Sequence, residues 1–286
     1  MRARIRGTEI YFDIEGMGLV PDGPTMRERP VAFLLHGGPG GDHSGFKPGF
    51  SPLAEAMQLV YIDHRGQGRS AKGDPATYTL DENVEDLEAL RQHLGLGRIV
   101  SIGTSYGGMV AMAHAARYPD SVSHLVLVVT AAHAGFNDRA RAIVAARGTP
   151  EQIRVTDQLW NGELTSLEAV RHYYEVMGPL YSVTHDPKAV QDARRRTLHE
   201  PAALMQAFRP GGFLRHFDLR PELPRITAPT LILAGRHDWI CPPEFSEEIH
   251  RLIPGSELRI FERSSHSLRA DEPQAMFDAI RGFLGA

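Results

Sequence analysis

Ile102-Gly103-Thr104-Ser105-Tyr106-Gly107-Gly108 places a serine between glycines directly after an apolar run at residues 98–102. The apolar pattern resumes at residues 109–116, so the stretch predicts a strand, a tight turn that carries Ser105, and a helix. A serine in such a turn adopts a strained backbone conformation that lifts its hydroxyl above the sheet, and glycine tolerates the crowding on either side. The following helix directs its first N–H groups toward the reacting centre, which suits a developing oxyanion.

The composition of the chain excludes several classes of protein. Its 286 residues are 42% hydrophobic, which is enough for one large α/β domain or for a domain with an inserted subdomain. A net charge of -4 gives no electrostatic footprint for nucleic acid or an anionic membrane. No stretch approaches the roughly 20 apolar residues that span a bilayer. We therefore expect a cytoplasmic protein with a small-molecule partner, and neither a nucleic-acid nor a membrane partner.

The sequence also contains no pattern typical of a metal site or of a disulfide within the chain. Cys241 is the only cysteine, and no Cys/His spacing matches a zinc site. We expect no metal and no cofactor, and the oligomeric state is left open.

The pattern of apolar residues predicts the fold class. Alternation over residues 8–15 indicates an edge strand with residues 2–6 as its hairpin partner, and the Gly- and Pro-rich segment 16–30 is interpreted as a loop. Further along the chain, continuous apolar runs are typical of buried parallel strands and alternate with helical patterns. The sequence therefore predicts an α/β fold on a mostly parallel sheet.

This alternation is interrupted between residues 131 and 221, where the pattern is helical and polar. We interpret residues 131–221 as an inserted helical cap between two parts of a core domain, residues 1–130 and 222–286. Among the cap aromatic residues, Tyr173 and Phe208 are candidate substrate-binding residues. The run Arg194-Arg195-Arg196 is interpreted as a solvated face rather than an anion site.

Two glycine-containing loops follow predicted strands. The loop His36-Gly37-Gly38-Pro39-Gly40-Gly41 can bring a backbone N–H very close to a substrate and is a candidate for half of an oxyanion hole. A phosphate-cradling loop or a plain sharp turn is the alternative. The loop at residues 63–70 is interpreted as a bracing network.

Ser105, Asp238 and His266 each follow the end of a predicted strand. In an open parallel sheet the carboxyl ends of the strands meet at one edge, so these three side chains are expected to lie close together. A serine hydroxyl becomes a nucleophile when an imidazole takes its proton, and a carboxylate holds that imidazole in the correct tautomer. The order Ser, Asp, His is that of the α/β-hydrolases.

Plainer explanations exist for each residue. The chain has 14 histidines, so His266 could be an ordinary loop residue, and Asp238 could simply cap the following helix. The three strand-end positions, their order and the glycine loop together favour a catalytic triad. Asp271 and Glu262 are the reserve candidates for the acid.

Five motifs carry a family resemblance over almost the whole chain outside the cap. They are His36-Gly37-Gly38-Pro39-Gly40-Gly41, Asp63-His64-Arg65-Gly66-Gln67-Gly68-Arg69-Ser70, Gly103-Thr104-Ser105-Tyr106-Gly107-Gly108, Gly235-Arg236-His237-Asp238 and Ser265-His266. The chain resembles the proline iminopeptidase branch of the α/β-hydrolase superfamily. The resemblance implies an eight-stranded twisted sheet flanked by helices, a cofactor-independent serine hydrolase, and an oxyanion hole formed by the N–H groups of Gly38 and Tyr106.

The chain differs from this branch in the residues that would bind the substrate's amino group. Aminopeptidases of the branch hold a free ammonium group with acidic residues near the cap and beside the triad acid, whereas Trp239 follows Asp238 here. Between residues 201 and 220 the only acid is Asp218, although Glu175 or Glu200 could serve as an anchor. A desolvated ammonium without an anionic partner is disfavoured.

The scissile bond therefore remains open among an amide in a short peptide, a carboxylic ester and a lactone. Trp239 is a candidate substrate-binding residue that would suit an apolar acyl or alkyl group. A non-catalytic ligand-binding homologue of the same fold is the alternative from a different class.

Overall fold

The computed structural model describes residues 1–285, apart from the side chain of Arg194. Eight strands form the main sheet, and two more form a separate hairpin. In chain order the strands are β1 (Arg2–Ile5), β2 (Thr8–Glu15), β3 (Leu19–Asp22), β4 (Thr25–Glu28), β5 (Val31–Leu35), β6 (Gln58–Ile62), β7 (Ile99–Thr104), β8 (Val122–Val128), β9 (Thr230–Gly235) and β10 (Glu257–Phe261).

The main sheet has the spatial order β1-β2-β6-β5-β7-β8-β9-β10. The pairs β1–β2 and β2–β6 are antiparallel, and every pair from β6 to β10 is parallel. This arrangement confirms the predicted eight-stranded, mostly parallel sheet. It also brings the carboxyl ends of β5, β7, β9 and β10 to the same edge, where the polar loops begin.

Strand β5 shows why the central strands are apolar throughout. Phe33 and Leu35 pack into one hydrophobic cluster, and Ala32 and Leu34 pack into the other, because successive side chains point to opposite faces of a sheet. Both faces are covered, so both sets of side chains are buried and the usual alternation with polar residues is lost.

Ten α-helices cover the sheet and its carboxyl edge among the described residues. They are α1 (Leu80–His93), α2 (Tyr106–Arg117), α3 (Phe136–Arg147), α4 (Pro150–Asn161), α5 (Leu167–Tyr181), α6 (Pro187–Arg196), α7 (Pro201–Phe208), α8 (Pro243–Leu252), α9 (Leu268–Asp271) and α10 (Pro273–Leu284). None of the described helices is long and apolar enough to cross a membrane.

Helices α3 to α7 all lie between β8 and β9, within residues 131–221, which we call the helical insertion. Its two ends run side by side: the N–H of Leu219 donates to the carbonyl of Ala132 at 2.7 Å, and the N–H of Ala134 donates to the carbonyl of Phe217 at 2.9 Å. These hydrogen bonds bring the start and end of the insertion together at its base. The division into a core and a cap remains a prediction, and this geometry is compatible with it.

Two local predictions near the N-terminus were wrong. Strand β2 is not an edge strand, because it pairs with β6 as well as with β1, and β1 forms the edge. Segment 16–30 is not entirely loop, because β3 and β4 form an antiparallel hairpin in which Asp22 pairs with Thr25. The side chains of this hairpin are largely exposed, so no alternation of buried and exposed residues marks it in the sequence.

Candidate active site

Ser105 lies between β7 and α2 in a backbone conformation that non-glycine residues rarely adopt, with φ of 54° and ψ of -121°. Its N–H donates to the carbonyl of Val128 at 2.9 Å, which holds the turn against the neighbouring strand. A Cβ on Gly103 would overlap the backbone of Gly107, and a Cβ on Gly107 would overlap the carbonyl of Leu35. Glycine is therefore required on both sides of the serine for steric reasons.

Asp238 and His266 form a buried hydrogen-bonded pair. Nδ1 of His266 donates to Oδ2 of Asp238 at 2.7 Å, and Oδ1 accepts from the backbone N–H groups of Ile240 at 2.8 Å and Cys241 at 3.0 Å. A carboxylate only accepts hydrogen bonds, so Nδ1 carries the proton and Nε2 of the neutral imidazole is left with a lone pair. The pair is therefore arranged to let His266 act as a base.

Ser105 and His266 line the same cavity, which has a volume of about 730 Å³. Oγ of Ser105 and Nε2 of His266 make no direct hydrogen bond among the contacts that the structure describes. Hydrogen bonds of this kind are commonly long in free enzymes and shorten when substrate binds. The cavity thus brings Ser105 and His266 together, and Asp238 joins them through its hydrogen bond to His266 rather than through the cavity wall.

The N–H groups of Gly38 and Tyr106 have no protein acceptor among the described residues. A Cβ on Gly37 would lie 3.2 Å from Cβ of Ser105, so this loop passes directly beside the serine. The φ of Gly38 is 122°, a value that favours glycine. The ring of Tyr106 is buried, and its hydroxyl accepts from Nδ2 of Asn83 at 2.6 Å. Both N–H groups are therefore available to an oxyanion.

The loop at residues 63–70 holds the glycine loop in place through hydrogen bonds. Oε1 of Gln67 accepts from the N–H of Gly40 at 2.7 Å, and the Asp63 carboxylate accepts from the N–H of His43 at 2.8 Å and the N–H of Arg69 at 2.7 Å. Burial opposes ionisation of Asp63, but the hydrogen bonds from His43 and Arg69 and the electrostatic interactions with His36 and His43 together outweigh this effect and lower the pKa of the carboxyl. These contacts are those of a bracing network.

His36 is occupied by structural hydrogen bonds. Its Nδ1 donates to the carbonyl of Gly37 at 2.8 Å, and its Nε2 accepts from the N–H of His64 at 3.2 Å. Burial lowers the pKa of both imidazoles. Because both ring nitrogens of His36 are used, it positions the glycine loop and has no free lone pair for catalysis.

The three predicted substrate-binding residues, Trp239, Tyr173 and Phe208, all line the cavity and are buried. The structure adds Tyr181, which the sequence did not distinguish from other cap aromatic residues. Its ring contacts His266 edge-on at a centroid distance of 5.7 Å and Trp239 at 5.6 Å. Tyr181 therefore joins the helical insertion to the candidate base.

The reserve acids have other partners. Glu262 is exposed and pairs with Arg236 at 2.7 Å. Asp271 accepts hydrogen bonds from Ser265 and from residues of the helical insertion. The structure therefore leaves Asp238 as the acid that contacts His266.

The acidic residues that could bind an ammonium group of the substrate do not line the cavity. Glu175, Glu200 and Asp218 are absent from its walls. Among the described residues, the acids in the walls are Asp42, which is buried and bound to an arginine at 2.7 Å, and Asp186, which is exposed and whose Oδ1 accepts the backbone N–H two residues later. Within the described part of the chain, the cavity wall thus contains no carboxylate that is both buried and unpaired.

The arginine run is exposed where its side chains are described, in agreement with its interpretation as a solvated face. Arg195 is exposed and pairs with Asp192 at 3.7 Å. Arg196 is also exposed, and in addition it lines the cavity. The side chain of Arg194 lies outside the described residues. A linear run of three arginines carries no signal of which member faces inward, because that depends on where α6 docks.

Residues 30–273 match the family model described as the alpha/beta hydrolase fold, and the chain belongs to this family. It is thus a hydrolase of the α/β hydrolase superfamily. A proline iminopeptidase from Pestalotiopsis fici is 30% identical over 283 residues, which cover 96% of this chain and 98% of that protein. The predicted resemblance to proline iminopeptidases is confirmed.

Solved structures with other activities share the fold. An esterase from Thermogutta terrifontis is 26% identical with a TM-score of 0.70, over 99% of this chain and 98% of that one. An enol-lactonase from Burkholderia xenovorans is 22% identical with a TM-score of 0.75, over the full length of both chains. The fold is therefore common to peptide, ester and lactone hydrolases.

Proposed function

We propose that this protein is a serine hydrolase that cleaves a small carboxylic ester through an acyl-enzyme intermediate. Ser105 is the nucleophile, His266 the general base and then acid, and Asp238 the residue that orients His266. The observation that carries the proposal is the buried Asp238–His266 hydrogen bond of 2.7 Å, whose histidine lines the same cavity as Ser105 in its strained turn.

The reaction follows from this geometry. Nε2 of His266 takes the proton of the Ser105 hydroxyl while Oγ attacks the ester carbon. The carbonyl oxygen becomes an oxyanion that accepts hydrogen bonds from the N–H groups of Gly38 and Tyr106, each of which is expected to contribute on the order of 3 kcal/mol in the transition state. His266 then protonates the departing alcohol, and a water molecule activated in the same way hydrolyses the acyl-enzyme.

The walls of the cavity favour an ester over an amide that bears a free amine. An ammonium group needs an anionic partner when it is desolvated. Trp239 and Tyr181 occupy the region next to His266, and the described wall acids, Asp42 and Asp186, are respectively paired and exposed. An ester requires the same triad and oxyanion hole but no amine anchor.

A proline iminopeptidase-like aminopeptidase is the second candidate, favoured by the relative that is 30% identical along nearly the whole chain. A lactonase would use the same triad, since a lactone is a cyclic ester. A ligand-binding homologue without catalysis is the remaining alternative.

Covalent labelling tests the nucleophile. A fluorophosphonate probe is expected to modify the wild-type protein and not the variant Ser105→Ala. Ser267→Ala is the matched control, because Ser267 also lines the cavity but has no predicted role. Labelling of Ser105→Ala would contradict the assignment, and an unlabelled wild type would favour the non-catalytic alternative.

The ratio of kcat/KM for p-nitrophenyl butyrate to that for proline p-nitroanilide tests the substrate class. We expect the ester to be preferred, and N-acetylation of the anilide to have little effect. A strong preference for the anilide that N-acetylation abolishes would instead establish an aminopeptidase with an acidic anchor.

A further inference from the structure

Two arginine side chains line the cavity that contains Ser105. Arg196 is the last residue of α6, and Arg269 lies in α9, three residues after His266. Three residues of chain span at most about 11 Å, so the backbone of Arg269 lies within the length of a small molecule from the candidate base. The two arginines come from segments more than 70 residues apart and meet only in the folded protein.

Neither guanidinium group has an ion pair or a hydrogen bond with the side chains and backbone that the structure describes. Desolvation and the neighbouring Arg196 lower the pKa of Arg269, yet a guanidinium remains charged in proteins. The side chains of Arg196 and Arg269 are both exposed, and both line the cavity. Two like charges therefore face one cavity without a described counter-ion.

Neighbouring residues make room for this arrangement. A Cβ on Gly49 would overlap the guanidinium of Arg269, so the glycine leaves space for the arginine. Lys47, a further cation in the wall, is already neutralised by Asp13 at 2.7 Å. Arg196 and Arg269 are therefore the cations of this wall that remain free to bind a ligand, within the described part of the chain.

The acids of the cavity do not neutralise these arginines. Asp42 is bound to Arg69 at 2.7 Å and also accepts the N–H of Leu198 at 3.1 Å. Asp186 precedes α6, whereas Arg196 ends it, and ten helical residues separate positions by about 15 Å. An anionic ligand would thus offset the repulsion between the two guanidinium groups.

We propose that Arg196 and Arg269 bind a carboxylate of the substrate, so that the ester cleaved at Ser105 carries a second, ionised carboxyl group. The inference rests on the proposed function, since it assigns the substrate class of that same site. Guanidinium groups bind carboxylates through two parallel hydrogen bonds, which fixes orientation as well as affinity. The same positive charge would repel a substrate with a free ammonium group.

Matched ester pairs test this proposal. One pair is p-nitrophenyl hydrogen glutarate and p-nitrophenyl valerate, which differ by a carboxylate on the acyl side; the other is 4-carboxyphenyl butyrate and phenyl butyrate, which differ on the alcohol side. In at least one pair we expect kcat/KM to favour the carboxylate by about tenfold or more, as for hydrogen bonds to charged groups. The preferred pair identifies the side on which the carboxylate lies.

Arg269→Gln and Arg196→Gln are each expected to lower this preference by about tenfold, mainly through KM. Arg269→Lys should retain part of it. Arg195→Gln is the control, because Arg195 lies on the same helix and pairs with Asp192 outside the cavity wall. No preference in either pair, or a preference that the glutamine variants leave unchanged, would overturn the proposal.

A binding measurement separates this proposal from the catalytic one. Isothermal titration calorimetry is expected to show that glutarate binds to the Ser105→Ala variant. The double variant, which also carries Arg269→Gln, is expected not to bind it. If wild-type protein hydrolyses none of the four esters but glutarate binds in this way, the serine hydrolase assignment fails and the carboxylate site stands. If neutral esters are hydrolysed and glutarate does not bind, the carboxylate site fails alone.

Discussion

The carboxylate of Asp271 accepts a 2.9 Å hydrogen bond from the backbone N–H of Ser265, the residue before His266. Its other oxygen accepts the N–H of Thr184 at 3.1 Å and the hydroxyl groups of Ser182 and Thr184. Burial opposes ionisation of Asp271, but these hydrogen bonds outweigh it and lower the pKa of the carboxyl. One side chain therefore ties the helical insertion to the loop that carries the candidate base.

Asp271→Asn should weaken this connection, because the amide places a donor opposite groups that are themselves donors. We expect a loss of about 2 kcal/mol in the free energy of unfolding, seen as a melting temperature lower by several degrees. Displacement of His266 should also lower kcat/KM on esters by at least about tenfold. Asp278→Asn, at an exposed acid near Arg281, is the control. Equal melting temperatures for the two variants would contradict the prediction.

Asp238→Asn tests the orientation of His266. The Asn oxygen would remain on the N–H groups of Ile240 and Cys241, so its NH₂ group would face Nδ1 of His266. Nδ1 would then have to accept, and the proton would move to Nε2, which could no longer take the serine proton. We expect kcat to fall by about 10⁴-fold with little change in melting temperature. Residual activity above a tenth of wild type would speak against Asp238 as the orienting residue.

Gly107→Ala tests the steric requirement in the serine turn. A Cβ at this position would overlap the carbonyl of Leu35, which belongs to a buried central strand and cannot move aside. We expect a loss of about 3 kcal/mol or more, or failure to fold, as judged by urea unfolding. Gly97→Ala is the matched control, since a Cβ there meets nothing within 4 Å. A variant at position 107 as stable as the control would refute the packing described for this turn.

The buried pair His36 and His64 predicts how stability depends on pH. Burial lowers both pKa values, so below about pH 6.5 the unfolded chain binds protons that the folded protein does not. The free energy of unfolding should therefore fall as the pH decreases from about 7.5 to 5.5, by at most about 1.4 kcal/mol per pH unit for each imidazole. His64→Gln should reduce this slope in thermal melts.

The matched control for this measurement is His93→Gln, at an exposed histidine that ends α1. It should leave the slope of melting temperature against pH as it is in the wild type. A slope unaffected by His64→Gln, or reduced equally by His93→Gln, would show that the buried pair is not its source.

The sequence alone determined the parts of the site that depend on neighbouring residues. The turn at Ser105 could be predicted because an apolar run, a glycine and a second apolar run are adjacent in the chain. Asp238 and His266 could be placed near it because each follows a strand, and parallel strands end at one edge. The glycine loop beside Ser105 followed from the same rule.

Only the tertiary structure decided which side chains complete the site. Asp271 contacts Thr184, 87 positions earlier in the chain, and so serves as a connection to the helical insertion rather than as the triad acid. Arg196 and Arg269 share a cavity wall because of how α6 docks against the core. Local periodicity shows which face of a helix is apolar, but not which distant residue that face will meet, because packing between elements depends on contacts across the whole chain.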